Sequence, residues 1–134
     1  MENMPHYAMI TPSPLSFDAT VEALRAALAA QGFGILCEID VSTTLKKKMN
    51  ADYPRTVILG ACNPPLALRV LTAAPDIATL LPCNVVVRMT GDQVEMAAIN
   101  PMVMAMMIAH PEVDAVAKEA DKRLRSAIEA VAGG

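Results

Sequence analysis

Residues 84–99 read NVVVRMTGDQVEMAAI, and this stretch decides the fold. The valine-rich run at residues 84–89 favours a strand, because β-branched side chains pack well on a pleated surface. Thr90-Gly91-Asp92 is typical of a turn, and residues 93–99 then form the returning strand. Arg88 and Glu95 are expected to pair across the hairpin. The stretch therefore predicts antiparallel strand pairing.

Two amphipathic helices are predicted on either side of this hairpin. Apolar residues at i, i+4, i+7 and i+11 predict a helix over about residues 17–31, with Ser16 or Asp18 as its cap and Gly32 as its left-handed end. A longer stripe predicts a helix over about residues 111–132, with most of its charged residues on a solvated face. The first stripe is Phe17, Val21, Leu24 and Leu28; the second is Val113, Val116, Ala120, Leu124, Ala127, Ile128 and Val131; the charged residues are Lys118, Glu119, Asp121, Lys122, Arg123 and Arg125.

Shorter patterns complete the predicted fold. Strands are predicted at Pro5–Ile10, 33–41 and 56–61, and the prolines within residues 11–14 are expected to end the first of them. Short helices are predicted at 42–49, from Pro64 to about Pro75, and at 102–108. Ser42 is the expected cap of the helix at 42–49. Asn63 is the expected cap of the next helix, because Pro64 suits the first helical position. The expected fold class is α+β, with a mainly antiparallel sheet packed against helices.

Length and composition exclude several classes of protein. The chain has 134 residues and a formal net charge of −3, and 54% of its residues are hydrophobic. This length predicts one domain over residues 1–134. The slightly acidic charge and the few aromatic residues argue against a nucleic-acid partner. No membrane partner is expected, because the longest apolar stretch, Ile99–Ala109, is too short to span a bilayer. The N-terminal residues show no signal-peptide pattern, so a cytoplasmic location is expected. The apolar excess, with ten methionines and four aromatic residues, indicates a buried interface such as that of a homodimer.

The strongest candidates for chemistry are Cys62 and Cys83. Cys62 ends a predicted strand just before a helix N-terminus, where free N–H groups and the helix dipole stabilise a thiolate. Cys83 begins the next strand, so the two thiols can meet at one end of the sheet. Their spacing matches no zinc or thioredoxin pattern, and the alternative is that both are buried packing residues. Cys37, within a strand, is expected only to pack.

Two further groups are weaker candidates. Thioethers and imidazole suit Cu(I) or haem iron, which makes Met102, Met104, Met106, Met107 and His110 possible ligands; the alternatives are core packing for the methionines and a cap for His110. Glu38 and Asp40 share a strand face and, with Asn63 and Asn84, form a polar set that acid–base chemistry could use; the alternative is an exposed strand face. No pattern for nucleophilic hydrolysis, nucleotide binding or zinc proteolysis is present.

Five blocks stand out along the chain: Gly32-Phe33, Glu38-Ile39-Asp40, residues 58–64 (ILGACNP), residues 80–85 (LLPCNV) and Ile99-Asn100-Pro101. Together they resemble the domain of unknown function 302 family, in which aspartate is common in place of Asn100. The resemblance covers residues 16–132. It implies an α+β sheet packed against helices in a TATA-binding-protein-like arrangement, often as a homodimer. It also places Cys62, Asn63, Pro64, Pro82, Cys83 and Asn84 in the motif blocks.

Three hypotheses follow for function. The preferred one is a dimeric protein that binds a small ligand, a metal or haem near the two cysteines, with Cys62, Asn63, Cys83 and Asn84 as binding residues and Cys62 and Cys83 as metal ligands. The alternative is a thiol-based redox enzyme or carrier, with Cys62 as nucleophile and Cys83 as resolving thiol. The third is an interaction module whose apolar surface closes a dimer. The sequence identifies no reaction and no single cofactor.

Overall fold

The computed structural model describes residues 6–133 and contains a five-stranded sheet with helices between its strands. The strands are β1 (Ala8–Ser13), β2 (Gly34–Asp40), β3 (Thr56–Cys62), β4 (Cys83–Thr90) and β5 (Gln93–Ile99). The helices are α1 (Phe17–Ala30), α2 (Val41–Met49), α3 (Pro64–Ala73), α4 (Met102–Met107) and α5 (Pro111–Ala132), with a short 3-10 helix at Pro75–Leu80. In the described part of the chain, no helix is long and apolar enough to cross a membrane.

All neighbouring strands pair antiparallel, in the spatial order β1-β5-β4-β3-β2. The predicted hairpin is β4–β5, in which Arg88 lies opposite Glu95 and donates from Nε to Glu95 Oε1 at 3.1 Å. The predicted α+β class with an antiparallel sheet is therefore confirmed. The arrangement is compatible with the TATA-binding-protein-like one.

One face of the sheet carries the main core. Alternating residues of β3, β4 and β5 are buried on this face, where α1 and α5 pack against them. This cluster includes Leu24, Leu59, Val85, Met96 and Leu124, each without exposed surface. A second, smaller cluster joins α3, α4, α5 and the 3-10 helix through Leu66, Val70, Ile77, Met104 and Val113, among others. The helices of the second cluster form the walls of the groove described below.

The ends of α1 form as the sequence predicts. The Ser16 hydroxyl accepts a hydrogen bond from the Ala19 N–H at 3.3 Å. Gly32 has φ of +85°, and the N–H groups of Gly32 and Phe33 donate to the carbonyl oxygens of Ala29 and Leu28. This paired arrangement is a Schellman motif, which glycine favours because a side chain is strained at positive φ.

Two local predictions are wrong. The prolines do not end the first strand at Ile10: β1 continues to Ser13, and Pro12 lies opposite Glu95. An edge strand tolerates proline, because the backbone groups that face away from the sheet need no ladder partner. The first predicted residue of that strand, Pro5, lies outside the described residues. The second correction concerns α2, which is capped by Asp40 and not by Ser42: Asp40 Oδ1 accepts from the Thr43 N–H at 3.0 Å.

Truncating a buried leucine of the main core will destabilise the protein strongly. We expect Leu59→Ala to lower the free energy of unfolding by about 3 kcal/mol, because it removes buried methyl groups and leaves a cavity. Leu68→Ala is the matched control, since this leucine on α3 is 69% exposed; its effect is expected within about 0.5 kcal/mol. Urea unfolding measures both. Equal losses in the two variants would contradict the assignment of the core.

Candidate functional site

An apolar groove of about 320 Å³ lies beside the end of the sheet at which β3 finishes and β4 begins. Its walls come from the ends of these strands and from α3, α4 and α5. Apolar side chains form most of the lining, among them Phe33, Leu66, Val70, Met104, Val116 and Ala120. The polar groups in the lining are the thiols of Cys62 and Cys83 and the amide of Asn63.

The pairing of β3 with β4 brings the two cysteines together. Ala61 lies opposite Cys83 in this register, so Cys62 is the next residue along β3. Both cysteines are half-buried free thiols that line the groove. Burial, with a smaller contribution from the neighbouring Cys62, raises the pKa of Cys83 to about 11. At neutral pH, Cys83 is therefore an uncharged, weakly polar group of the groove wall.

Asn63 joins the groove to the end of α1. As predicted, it caps α3: its Oδ1 accepts from the Leu66 N–H at 3.3 Å. Its Nδ2 donates to the carbonyl oxygen of Gln31 at 3.4 Å. A Cβ on Gly32 would lie 3.1 Å from this Nδ2, so glycine at that position leaves room for the amide. Asn63 is thus held from both sides and is buried.

The start of α3 offers no spare backbone donor to a thiolate or an anion. Pro64 and Pro65 have no N–H, the Leu66 N–H is bound by Asn63 Oδ1, and the Ala67 N–H donates to the Asn63 carbonyl at 2.8 Å. The expectation that free N–H groups of this helix would stabilise a Cys62 thiolate is therefore wrong. The two prolines that mark the helix start also remove its donors.

Asn84 and Cys37 are placed on the sheet face opposite the main core. Asn84 lies next to the buried Val85 on β4, is exposed, and does not line the groove. Cys37 is also exposed, and its Sγ lies over Gly60, where an added Cβ would come within 2.6 Å of it. Cys37 was expected to pack within the fold, and its exposure corrects that expectation.

The remaining members of the polar set have structural partners. Glu38 forms a salt bridge with Arg25 of α1. Asp40 caps α2, and the hydrogen bond from the Thr43 backbone N–H is the main cause that lowers the pKa of this carboxyl. Neither carboxylate lines the groove. The structure thus does not bring Glu38, Asp40, Asn63 and Asn84 into one site.

The methionines of α4 spread around their helix. Met104 is buried and lines the groove, whereas Met106 and Met107 are exposed. His110 caps α5, because its Nδ1 accepts from the Glu112 N–H at 3.0 Å. This agrees with the alternative of a cap for His110. Over residues 6–133, no group of three or more His, Cys, Asp or Glu side chains is arranged to hold a metal ion.

A second recess, of about 300 Å³, adjoins the groove and was not predicted from the sequence. Asn63 and Leu66 line both spaces. The recess also contains Arg69, Glu119 and Arg123. Arg123 was assigned to the solvated face of α5, and only the packing of α3 against α5 brings it beside Asn63. Charge pattern along one helix carries no signal for such a contact.

Comparison with known proteins agrees with this architecture. The family model "Domain of unknown function DUF302" matches residues 9–131. A solved structure, that of an uncharacterized conserved protein DUF302 from Bacillus stearothermophilus, superposes with a TM-score of 0.89 at 26% identity, and covers 95% of this chain and 99% of that one. No curated protein matches the chain. With a family match over nearly its whole length, the chain belongs to the DUF302 family.

Proposed function

We propose that this protein binds a small, largely apolar ligand in the groove beside Cys62 and Cys83. The observation that carries the proposal is the groove itself: about 320 Å³, lined by apolar side chains with three polar residues among them. Ligand sites in proteins are typically concave spaces of about 300–1,000 Å³ with this kind of lining. The affinity of the groove for such a ligand comes mainly from removing apolar surface of both from water.

The polar groups of the lining suit an uncharged part of a ligand. The Asn63 amide already makes two hydrogen bonds that hold the fold, so it has limited capacity for a ligand. The Cys83 thiol stays protonated at neutral pH because burial raises its pKa to about 11. A neutral thiol behaves as a small hydrophobe with a weak donor. Cys83 therefore acts as a contact residue for the apolar part of the ligand, and Cys62 lines the groove beside it.

The alternatives of a redox or metal site receive less support. A resolving thiol reacts as its thiolate, and the burial of Cys83 disfavours that form. A structural zinc site takes four ligands, and in the described part of the chain Cys62 and Cys83 are joined by no further His, Cys, Asp or Glu. Metal and haem binding are therefore outcomes to be distinguished in the binding experiment.

We also propose that two copies associate through the outer face of the sheet. Five apolar residues, one from each strand, lie directly opposite one another in register across this face: Ile10, Ala97, Val86, Ile58 and Ile39. They alternate along their strands with the core residues, so they point away from the main core. Ile10 and Ile39 at the two ends of the row are 47% and 45% exposed.

A second copy fits this row because the row can pair with itself. In a two-fold dimer the same patch is contributed by both copies, and a linear apolar row can cross its own equivalent. On one side the row is bordered by the Arg88–Glu95 ion pair, which provides a polar rim. Ala97 within the row is buried and Val86 and Ile58 are half-buried, so the exposed apolar surface belongs mainly to the two isoleucines at its ends. Removing this surface from water is favourable.

Filling the groove will abolish binding of an apolar probe. Ala67 lines the groove on α3 and is half-buried, so Ala67→Trp is expected to weaken the affinity for the neutral dye N-phenyl-1-naphthylamine at least tenfold. Leu68→Trp is the matched control, because its exposed neighbouring position lies outside the lining. Fluorescence titration measures both. The proposal fails if wild type does not bind the dye, or if Ala67→Trp binds it as wild type does.

The same preparation distinguishes the metal and haem alternatives. Titration with Cu(I), Zn²⁺ and haem compares wild type with Cys62→Ser and Cys83→Ser. The apolar-ligand proposal expects both variants to bind the dye within about threefold of wild type, because the thiols are two small contacts in a lining that is mostly apolar. Stoichiometric metal or haem binding that both substitutions abolish would replace the proposal with a metal or haem site.

Alkylation of Cys83 will be slow below pH 9. Its pKa is raised from the ordinary 9.0 to about 11, so well below pH 9 the thiolate fraction is about a hundredfold lower than for an unperturbed thiol, and the rate rises as pH approaches 11. Iodoacetamide labelling read by peptide mass spectrometry measures all three cysteines together, with exposed Cys37 as internal control. The slow labelling should disappear in guanidinium. If Cys83 in the folded protein is labelled as fast as Cys37 at pH 8, the raised pKa of Cys83 is contradicted and the redox alternative is favoured.

Charge in the apolar row will separate the copies. We expect wild type to sediment as a dimer at 10 µM and Ile39→Lys as a monomer, because a buried unpaired ammonium in the interface is costly. Leu68→Lys, at another exposed leucine, is expected to remain a dimer. A monomeric wild type, or a dimeric Ile39→Lys, would refute the proposed interface. Circular dichroism checks that each variant is folded.

A further inference from the structure

We propose that the ligand of the groove is an anionic amphiphile, whose apolar body lies in the groove and whose terminal oxyanion is bound by Arg69 and Arg123 in the adjoining recess. The oxyanion is a carboxylate or a phosphate. This inference rests on the proposed function, since the groove must hold the apolar body. It adds the chemical class of the ligand and the two residues that select it.

The two spaces border each other along shared side chains. Asn63 and Leu66 line both the groove of about 320 Å³ and the recess of about 300 Å³. The lining changes character at this border: apolar side chains dominate the groove, and Arg69, Glu119 and Arg123 enter in the recess. A molecule seated against Leu66 thus has an apolar environment on one side and a polar one on the other, which matches an amphiphile.

The guanidinium groups have hydrogen-bond donors to spare. Each guanidinium carries five N–H donors. Arg69 donates from Nη2 to Glu112 Oε1 at 2.6 Å, and Arg123 donates from Nη1 to the Gln31 carbonyl at 3.1 Å. The Nε of Arg123 is buried and, across residues 6–133, has no hydrogen-bond partner; Glu119 Oε2 is 3.7 Å away, beyond hydrogen-bond distance. A buried donor without an acceptor is costly, and an oxyanion nearby could draw Arg123 into a better arrangement.

The lining of the recess carries two guanidinium groups and one carboxylate. They belong to Arg69, Arg123 and Glu119, of which Arg123 and Glu119 form a salt bridge with Nε and Oε2 3.7 Å apart. Glu112, outside the lining, is engaged by Arg69, which lowers the pKa of this carboxyl. The backbone at the start of α3 supplies no free donor at residues 64–67, so the arginines must provide the recognition. Arginine suits this role because its planar fork matches carboxylate and phosphate oxygens.

Displacement of N-phenyl-1-naphthylamine by three ten-carbon competitors tests the inference. Decanoate, decyl phosphate and 1-decanol share the apolar chain and differ only in the head group. We expect decanoate or decyl phosphate to compete at least tenfold better than 1-decanol, and the better of the two identifies the oxyanion. In Arg69→Gln and Arg123→Gln this preference should fall below threefold, while the affinity for 1-decanol stays within twofold of wild type.

Arg125→Gln is the matched control, because Arg125 lies on α5 two residues after Arg123 and pairs with Asp121 away from the recess. It should keep the full preference. Arg123 bonds to the Gln31 carbonyl within the fold, so a folding defect is a competing explanation for the effect of Arg123→Gln. Arg69 bonds to Glu112 at an exposed position, so Arg69→Gln tests the inference without that complication. Equal competition by 1-decanol and both anions in wild type, or a preference that survives both substitutions, overturns the inference and leaves the apolar site standing. If wild type does not bind the dye at all, both the inference and the proposed apolar-ligand function are overturned.

Discussion

The register between β3 and β4 is the constraint on which the rest of this structure depends. With Ala61 opposite Cys83, the residues Val57, Leu59 and Ala61 face the helices together with Val85 and Val87. A slip of one residue would exchange the two faces of the strand and expose this core. The same register aligns Ile58 with Val86 on the outer face and brings Cys62 and Cys83 to one end of the sheet. The core, the proposed interface and the groove thus follow from one pairing.

Asn63 links this sheet end to the helices. Its side chain caps α3 through Leu66 and reaches the last carbonyl of the α1 end through Gln31, which Arg123 of α5 also contacts. The ends of α1 and α3 and the side chain of Arg123 on α5 therefore meet at the Gln31 carbonyl beside Asn63. Because the amide is committed to these contacts, its main contribution to a ligand site is to hold the walls in place. The recess with Arg69 and Arg123 lies on the far side of the same residue.

Local sequence signals predicted those parts of the structure that depend on neighbouring residues. The hairpin at 84–99, the Ser16 cap, the Gly32 terminus and the Asn63-Pro64 helix start each require only a few adjacent side chains. The prolines of β1 were misinterpreted because the edge position of that strand is set by its distant partner β5. The predicted cap at Ser42 is wrong because β2 ends at Asp40, one residue before the predicted end of the strand, and pattern-based helix boundaries carry an error of one or two residues.

The candidate site was only partly accessible to sequence reasoning. The cysteine blocks fall at the sheet end beside which the groove lies, and both thiols line it. Asn84 stands beside Cys83 in its block, yet strand alternation turns it to the other face. Arg123 and Met104 join the site through helix packing between segments far apart in sequence, which no short motif records.

Mapping the bound dye by methyl NMR tests the central claim most directly. Adding N-phenyl-1-naphthylamine should shift the methyl signals of Leu66, Val70 and Met104, which line the groove, and leave those of Ile10 and Ile39 on the outer sheet face unchanged. Shifts confined to the isoleucine row, or no saturable shift at any of the groove methyls, would contradict the account.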